Sequence, residues 1–459
     1  MQRIAVNEAV TNPMRTFESS SRLVKNYRAN LNSRKQAVRS IGLFVLVLFI
    51  NSMGWSVAQR VMPTGPGTMP DQWIDSATGH LVKRLINNPG NHRSFYFHNN
   101  PFVGDLMIYY GSRLDRVGNA TPDGYVKHGA ANPYDNQLYS YNLKTGESRQ
   151  LTHSSSSMYG EIVSHKNKEA YYQIKDSVFG VNVFSGKSRL IFVFPEDFKA
   201  SITTVNADGT LLAGAYASPL EKEITKKYPS KGGYFNRIYE AKLPRTLFTI
   251  AINSGKLSKI FTDSAWLNHV QFSPTDPDLL MFCHEGPWHK VDRIWTINVQ
   301  TKAAPVLIHK RSMEMEIAGH EWFSSDGKYI WYDLQLPRGK DFYVGGTRLK
   351  DGQEIKYHLT RNEWSVHYTS SWDQRHFAGD GGAHKSVANA PDGKWIYYFT
   401  PVTNKDGNYF KSEKLVDLNE HDYQLEPNLH FSPDQQWIIF RANFEGHPDI
   451  YAVKIKKGM

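Results

Sequence analysis

Cysteine is almost absent from these 459 residues. Cys283 stands alone, so no intrachain disulfide forms and a large apolar core must carry the stability. Long apolar runs are scarce too. The one such run, residues 41–50 (I-G-L-F-V-L-V-L-F-I), is too short for a comfortable bilayer span. A basic segment precedes it, and Ser56-Val57-Ala58 sets small residues where a signal peptidase reads. Residues 1–58 are therefore expected to be a basic region and secretory signal cleaved after Ala58, which puts the body in the periplasm or outside the cell. A start at Met14 and an uncleaved membrane anchor are the alternatives. The net charge of +10 is mostly local: the first 59 residues hold eight Lys/Arg against two Asp/Glu, which leaves +4 for the rest. No basic run with interleaved aromatics follows, so nucleic acid is not an expected partner.

Several catalytic signatures are missing as well. There is no G-x-S-x-G, which argues against a hydrolase nucleophile elbow. His284-Glu285 with His289 has the wrong spacing for a metalloprotease helix, and Pro287 lies between the histidines. Gly186-Lys187-Ser188 reads as a hairpin turn, not as a phosphate loop. Asn119-Ala120-Thr121 is a glycosylation acceptor only in a eukaryotic secretory route. No long amphipathic helix stands out.

Aromatics are abundant at 13%, with 34 Gly and 22 Pro, a composition that favours β structure. After a Pro/Gly-rich linker at 59–70, a two-part unit recurs from about Asp71. One part is a turn and a strand: N-A-D-G-T-L-L-A-G-A (206–215), S-P-T-D-P-D-L-L-M-F (273–282), S-S-D-G-K-Y-I-W-Y (324–332) and S-P-D-Q-Q-W-I-I-F (432–440). The other is a hairpin, at 137–151, 179–191, 247–260 and 293–308, turning mostly on T-G or S-G. Alternating apolar residues make the strands, and glycine supplies the positive φ of the turns. Together the parts make one four-stranded blade. A repeat of about fifty residues predicts an all-β fold, a seven-bladed β-propeller over 71–459, with a sheet sandwich as the plainer alternative. Asp449–Lys456 should pair near His80–Leu85 to close the ring. Insertions near 112–136 and 219–246 should form rim loops over one face.

Polar residues concentrate at Cys283–Leu334, where His284-Glu285 and His320-Glu321 each adjoin a strand-like run. Histidines recur near blade starts: His92, His98, His128, His284, His320, His367 and His430. One histidine alone usually serves structure; several at equivalent places converge on one axial face. In Gln424–His430 an extended chain would set Gln424, Glu426, Asn428 and His430 on one side. With His367 these oxygens suit a divalent cation of the Mn²⁺, Ca²⁺ or Mg²⁺ kind. A polar strand start capping the channel is the competing reading.

At these residues the chain resembles the oligogalacturonate lyases, polysaccharide lyase family 22. The likeness rests on F-C-H-E-G-P (282–287), V-D-R-I-W (291–295), G-H-E-W-F-S-S-D-G (319–327), S-V-H (365–367), A-G-D-G (378–381), the F-S-P-D…I-I-F run (431–440) and N-H-R-S-F-Y-F (91–97). It implies seven blades and β-elimination on a uronate chain with a divalent metal, Mn²⁺ in first place and Ca²⁺ second. By motif, His320 matches the Brønsted base and Arg293 an arginine beside the reacting sugar. His367 and Gln424 match metal ligands. His284, His92, Arg93 and Arg245 would line the cleft for an anionic uronate oligosaccharide. The family pattern Q-x-x-H-x-H is not kept, and Glu426 and Asn428 stand where two histidine ligands would be. Oligogalacturonate is the lead substrate, and ulvan or rhamnose-glucuronate chains are the alternatives. Two other classes stay open: a hydrolase using Glu285 with Glu321, and a non-catalytic periplasmic propeller that binds partners.

Overall fold

The computed structural model describes residues 59–457 except 66, 113–135, 385 and 406. The signal segment, the Asn119 acceptor, His128 and most of the first insertion lie outside the described residues. Seven antiparallel blades make up the body. Six begin at strands His92–Arg93, Tyr159–Ser164, Ser201–Val205, Trp266–Phe272, Ile317–Phe323 and Tyr368–Ser370. Blades five and six are joined by one parallel pair, His358 with Tyr409. The seventh blade unites both ends of the body. Asp449–Lys454 lies between Trp437–Ala442 and Leu81–Arg84, with Val82 opposite Val453. This is the ring closure that the terminal strand patterns predict, and a closed ring leaves few open edges.

The hairpins fall where the turns put them. Gly146, Gly186 and Gly255 take φ of 76°, 72° and 65°. In the fourth hairpin Lys302 holds the same left-handed place at 51°, without glycine's freedom. Period-2 alternation divides each strand between two neighbours. Ile330, Tyr332 and Leu334 pack with Met281 and Ile294 of blade four, while Trp331 meets Phe377 of blade six edge-on at 4.9 Å.

Two segments differ from the sequence reading. Residues 219–241 are not a loop but a helical hairpin, α1 (Pro219–Lys227) and α2 (Lys231–Ala241). Pro219 starts α1 where a missing N–H costs nothing, and the Ser230 hydroxyl accepts from Gly233 N to cap α2. The second is the segment read as a linker. Val61–Met62 pairs with Ile74–Asp75, and Thr64 bonds both Asp75 and the Trp73 indole at 2.7 Å. No helix among the described residues is long and apolar enough to cross a membrane.

Candidate active site

The first strands of neighbouring blades touch each other, which places them innermost. Their sequences share a register. Three residues before Phe272, Phe323, Ser370 and Phe431 stand His269, His320, His367 and Asn428. His269, His320 and Asn428 are left-handed, at φ 46°, 44° and 50°. In blades four and five the strand register breaks around that residue, between Asn268 and Gln271 and between Gly319 and Trp322. Such a bulge turns a side chain out of the sheet. The result is convergence: the rings of His320 and His367, from adjacent blades, meet edge-on at 4.8 Å. Phe97 stacks on His367 at 4.7 Å. Its other surroundings belong to a cavity of about 560 Å³ along the axis, shared with Gln271, Trp322, Ser370 and His430. Phe97 therefore separates the histidine cluster from the channel.

His320 Nδ1 lies 3.1 Å from Asp333 Oδ2. A carboxylate there accepts Nδ1–H and leaves Nε2 as the basic nitrogen. Burial pulls the His320 pKa down, but the charge and hydrogen bond of Asp333 outweigh it and the net movement is upward. Trp288 lies edge-on at 5.0 Å and forms a wall.

Arg293 is 2% exposed and sits between two carboxylates, Glu285 at 2.8 Å and Glu321 at 3.0 Å. Trp288 covers it at 4.8 Å. Its Nη2 has no hydrogen-bond partner among the described residues. Burial raises the pKa of Glu285, yet Arg293 and His269 bring it down to about 2; Glu321 is lowered in the same way. A glycosidase needs one carboxyl kept protonated. Both members of this pair are held ionised by one guanidinium, which argues against the hydrolase reading. His269 lies 3.6 Å from Glu285 and 3.9 Å from Glu321, and burial brings its pKa down to about 4.

On the other side, His367 is 1% exposed. Its Nδ1 meets Asp380 at 2.9 Å and its Nε2 meets the Tyr96 hydroxyl at 3.1 Å, with Glu426 at 3.8 Å. Burial pushes the Tyr96 pKa up, so the phenol stays protonated. Asn428 Oδ1 accepts the N–H of Phe97 at 3.0 Å and its amide donates to Glu426 O. The chain before it is not extended. Asp422 accepts from Gln424 N and His421 bonds Leu425 O, so the segment turns, burying Tyr423 and Leu425 and exposing Gln424. Among the described residues no set of three or more His, Cys, Asp or Glu side chains is arranged to hold a metal ion. His367 and Glu426 make two donors, so most of a six-fold shell around Mn²⁺ or Ca²⁺ would have to come from other oxygens, water or substrate.

The other sequence candidates fall in varied places. Arg93 is half-buried near Glu161 and Arg441. His92, its neighbour on the strand, points away and bonds Asp449 at 3.1 Å, across the blade closure. His284 alternates with buried Glu285 and stacks on Trp295 at 4.8 Å on the opposite blade face. Arg245 pairs with Glu221 of α1 and donates to Leu267 O, tying the helical hairpin to blades three and four. Sequence reasoning passed over His269, Tyr96, Asp333, Asp380 and Arg441. The count of three back from the F-S turn would have found His269.

Known proteins point the same way. The family model for oligogalacturonate lyase matches residues 71–459. An oligogalacturonide lyase of Pectobacterium atrosepticum is 26% identical over 404 residues, covering 83% of this chain and 95% of that one. An oligogalacturonate lyase of Dickeya dadantii matches to the same extent. Among solved structures, an oligogalacturonate lyase in complex with manganese superposes with a TM-score of 0.68 at 21% identity, over 86% of this chain and 99% of its own. One from Vibrio parahaemolyticus gives 0.69 at 22%, with the same coverage.

Proposed function

The chain belongs to the oligogalacturonate lyase family, and we propose that it cleaves oligogalacturonate by β-elimination with His320 as the base. The observation that carries this reading is the His320–Asp333 pair, with the His320 ring against that of His367. Elimination removes the C5 proton beside a uronate carboxylate and expels the C4 oxygen. The C5–H and C4–O bonds break, a C4=C5 double bond forms, and the departing oxygen takes up a proton. Asp333 fixes the tautomer that leaves His320 Nε2 as acceptor, and it stabilises the imidazolium once the proton has moved. Arg293, already spanned by Glu285 and Glu321, holds the wall of the site, and its buried Nη2 has no hydrogen-bond partner among the described residues.

Ultraviolet absorbance during incubation with oligogalacturonates tests the reaction class. Growth of a conjugated-product signal is the expected result; new reducing ends without absorbance would mean hydrolysis, and neither would mean a binding module. The basic, then apolar, start of the chain supports an exported enzyme, for which the mature N-terminus should be Gln59 on sequencing.

A further inference from the structure

We propose that the helical hairpin of α1 and α2 is a binding surface for the stretch of a uronate chain that extends beyond the cleft, so that this enzyme prefers long oligogalacturonates to short ones. The proposal rests on the lyase reading and adds a length preference to it. Its first support is where the body keeps its charge. Residues 219–245 hold seven Lys/Arg against three Asp/Glu. That surplus of +4 equals the whole surplus of the chain after residue 59, so the rest of the body is neutral in sum. The one buried acid of the hairpin, Glu221, is taken by Arg245. Lys222, Lys226, Lys227, Lys231, Arg237 and Lys242 are all exposed, and none of them makes an ion pair among the described residues. Aromatic rings hold several of these cations instead. The Arg237 guanidinium lies over Tyr228 at 4.0 Å and donates to Gly233 O, and Lys242 lies over Tyr239 at 4.0 Å. A ring orders a cation without cancelling its charge. A polyuronate carries one carboxylate on every sugar, so a run of it meets several of these charges at once.

The hairpin is rooted beside the reacting centre. Phe235 packs on Trp266 at 5.2 Å, and Trp266 pairs with Glu285 across the blade. The Tyr239 ring lies so close to Gly286 that a Cβ there would come within 2.5 Å of it. The same turn carries Trp288, whose ring meets His320 at 5.0 Å. A chain seated at His320 and leaving over Trp288 therefore reaches α2 next. None of the six cations lies in the motifs that carry the family likeness. An anionic membrane is the other polyanion such a face could meet. A helix lying on a membrane needs an apolar stripe to insert, however, and Leu220 is the one large apolar side chain that this hairpin exposes. The surface is cationic without being greasy, which suits a polyuronate better than lipid.

The test compares trigalacturonate with decagalacturonate on wild type and on a variant combining Lys222→Gln, Lys226→Gln, Lys227→Gln and Lys231→Gln. These side chains are exposed and outside any ion pair, so the fold should be untouched. KM for the decamer should rise about tenfold. Its kcat should stay, as should both constants for the trimer. Added salt should erode the decamer's advantage in wild type and matter little in the variant. Equal losses for both lengths, or no loss for either, would overturn the surface. So would capture of phosphatidylglycerol vesicles by wild type but not by the variant, with the length preference unmoved; the hairpin would then be a membrane contact. Calorimetric titration of the same ligands separates this proposal from the lyase reading. Binding that depends on length and on these lysines, without unsaturated product, keeps the surface and sinks the lyase; product formation with equal KM for both lengths does the reverse.

Discussion

Two buried guanidinium groups, those of Arg293 and Arg441, are balanced in opposite ways. In blades four and five, Arg293 is enclosed by Glu285 and Glu321 with His269 close by. In blade seven, Arg441 sends its hydrogen bonds to backbone carbonyls, those of Glu426 and Ser94. The first guanidinium is closed in by two carboxylates; the second is oriented by carbonyls, while the acids Glu161, Glu426 and Asp380 lie near enough to act on its charge. The difference teaches that burial of a charge does not by itself mark a ligand site. The partner sets the balance: carboxylates close a cluster, whereas carbonyls orient a cation and leave it charged.

The closed cluster breaks hardest. Arg293→Met leaves two buried carboxylates uncompensated and should cost about 3–5 kcal/mol, seen as a lower urea midpoint. Adding Glu285→Gln and Glu321→Gln should recover much of it; no loss in the single variant would show the cluster to be solvated. Next in size is an acid effect from buried histidines that lack a carboxylate on the ring. His421 and His430 bond the carbonyls of Leu425 and Phe95, and burial takes both to about 4. Their folded pKa lies below the unfolded value of about 6.5, so the folded state binds fewer protons in between. Stability is full above pH ~6.5 and falls toward pH 4, by up to about 3 kcal/mol per histidine. His421→Gln should flatten that slope in denaturation curves; an unchanged slope would remove His421 from it. Asp333→Asn is milder. It keeps the shape of the His320 contact but frees the tautomer, and kcat should fall about 10–100-fold with little change in stability. A rise in KM alone would assign Asp333 to substrate binding.

Much of the scaffold was legible because turn chemistry is local. The T-G and S-G hairpins fixed blade edges, and the Asp449–Lys454 pattern announced the closure. The helical hairpin was not legible: Gly232, Gly233 and Pro229 read as loop, while Ser218-Pro219 and Ser230 supply caps that a composition scan passes over. The site was half legible. His320 and His367 do meet, but His284 lies on the far blade face, because adjacent strand residues point apart. Gln424 turned outward because Asp422 forms a local side-chain turn that competes with extension. His269 and Arg441 were missed because their partners, Glu321 and Ser94 O, are remote in sequence.

The most direct test of the central claim is the rate at which purified His320→Ala releases unsaturated uronate from oligogalacturonate, followed by ultraviolet absorbance beside wild type. With circular dichroism unchanged, the account predicts a fall of about 10²–10⁴-fold. A folded His320→Ala that keeps the wild-type rate would contradict it.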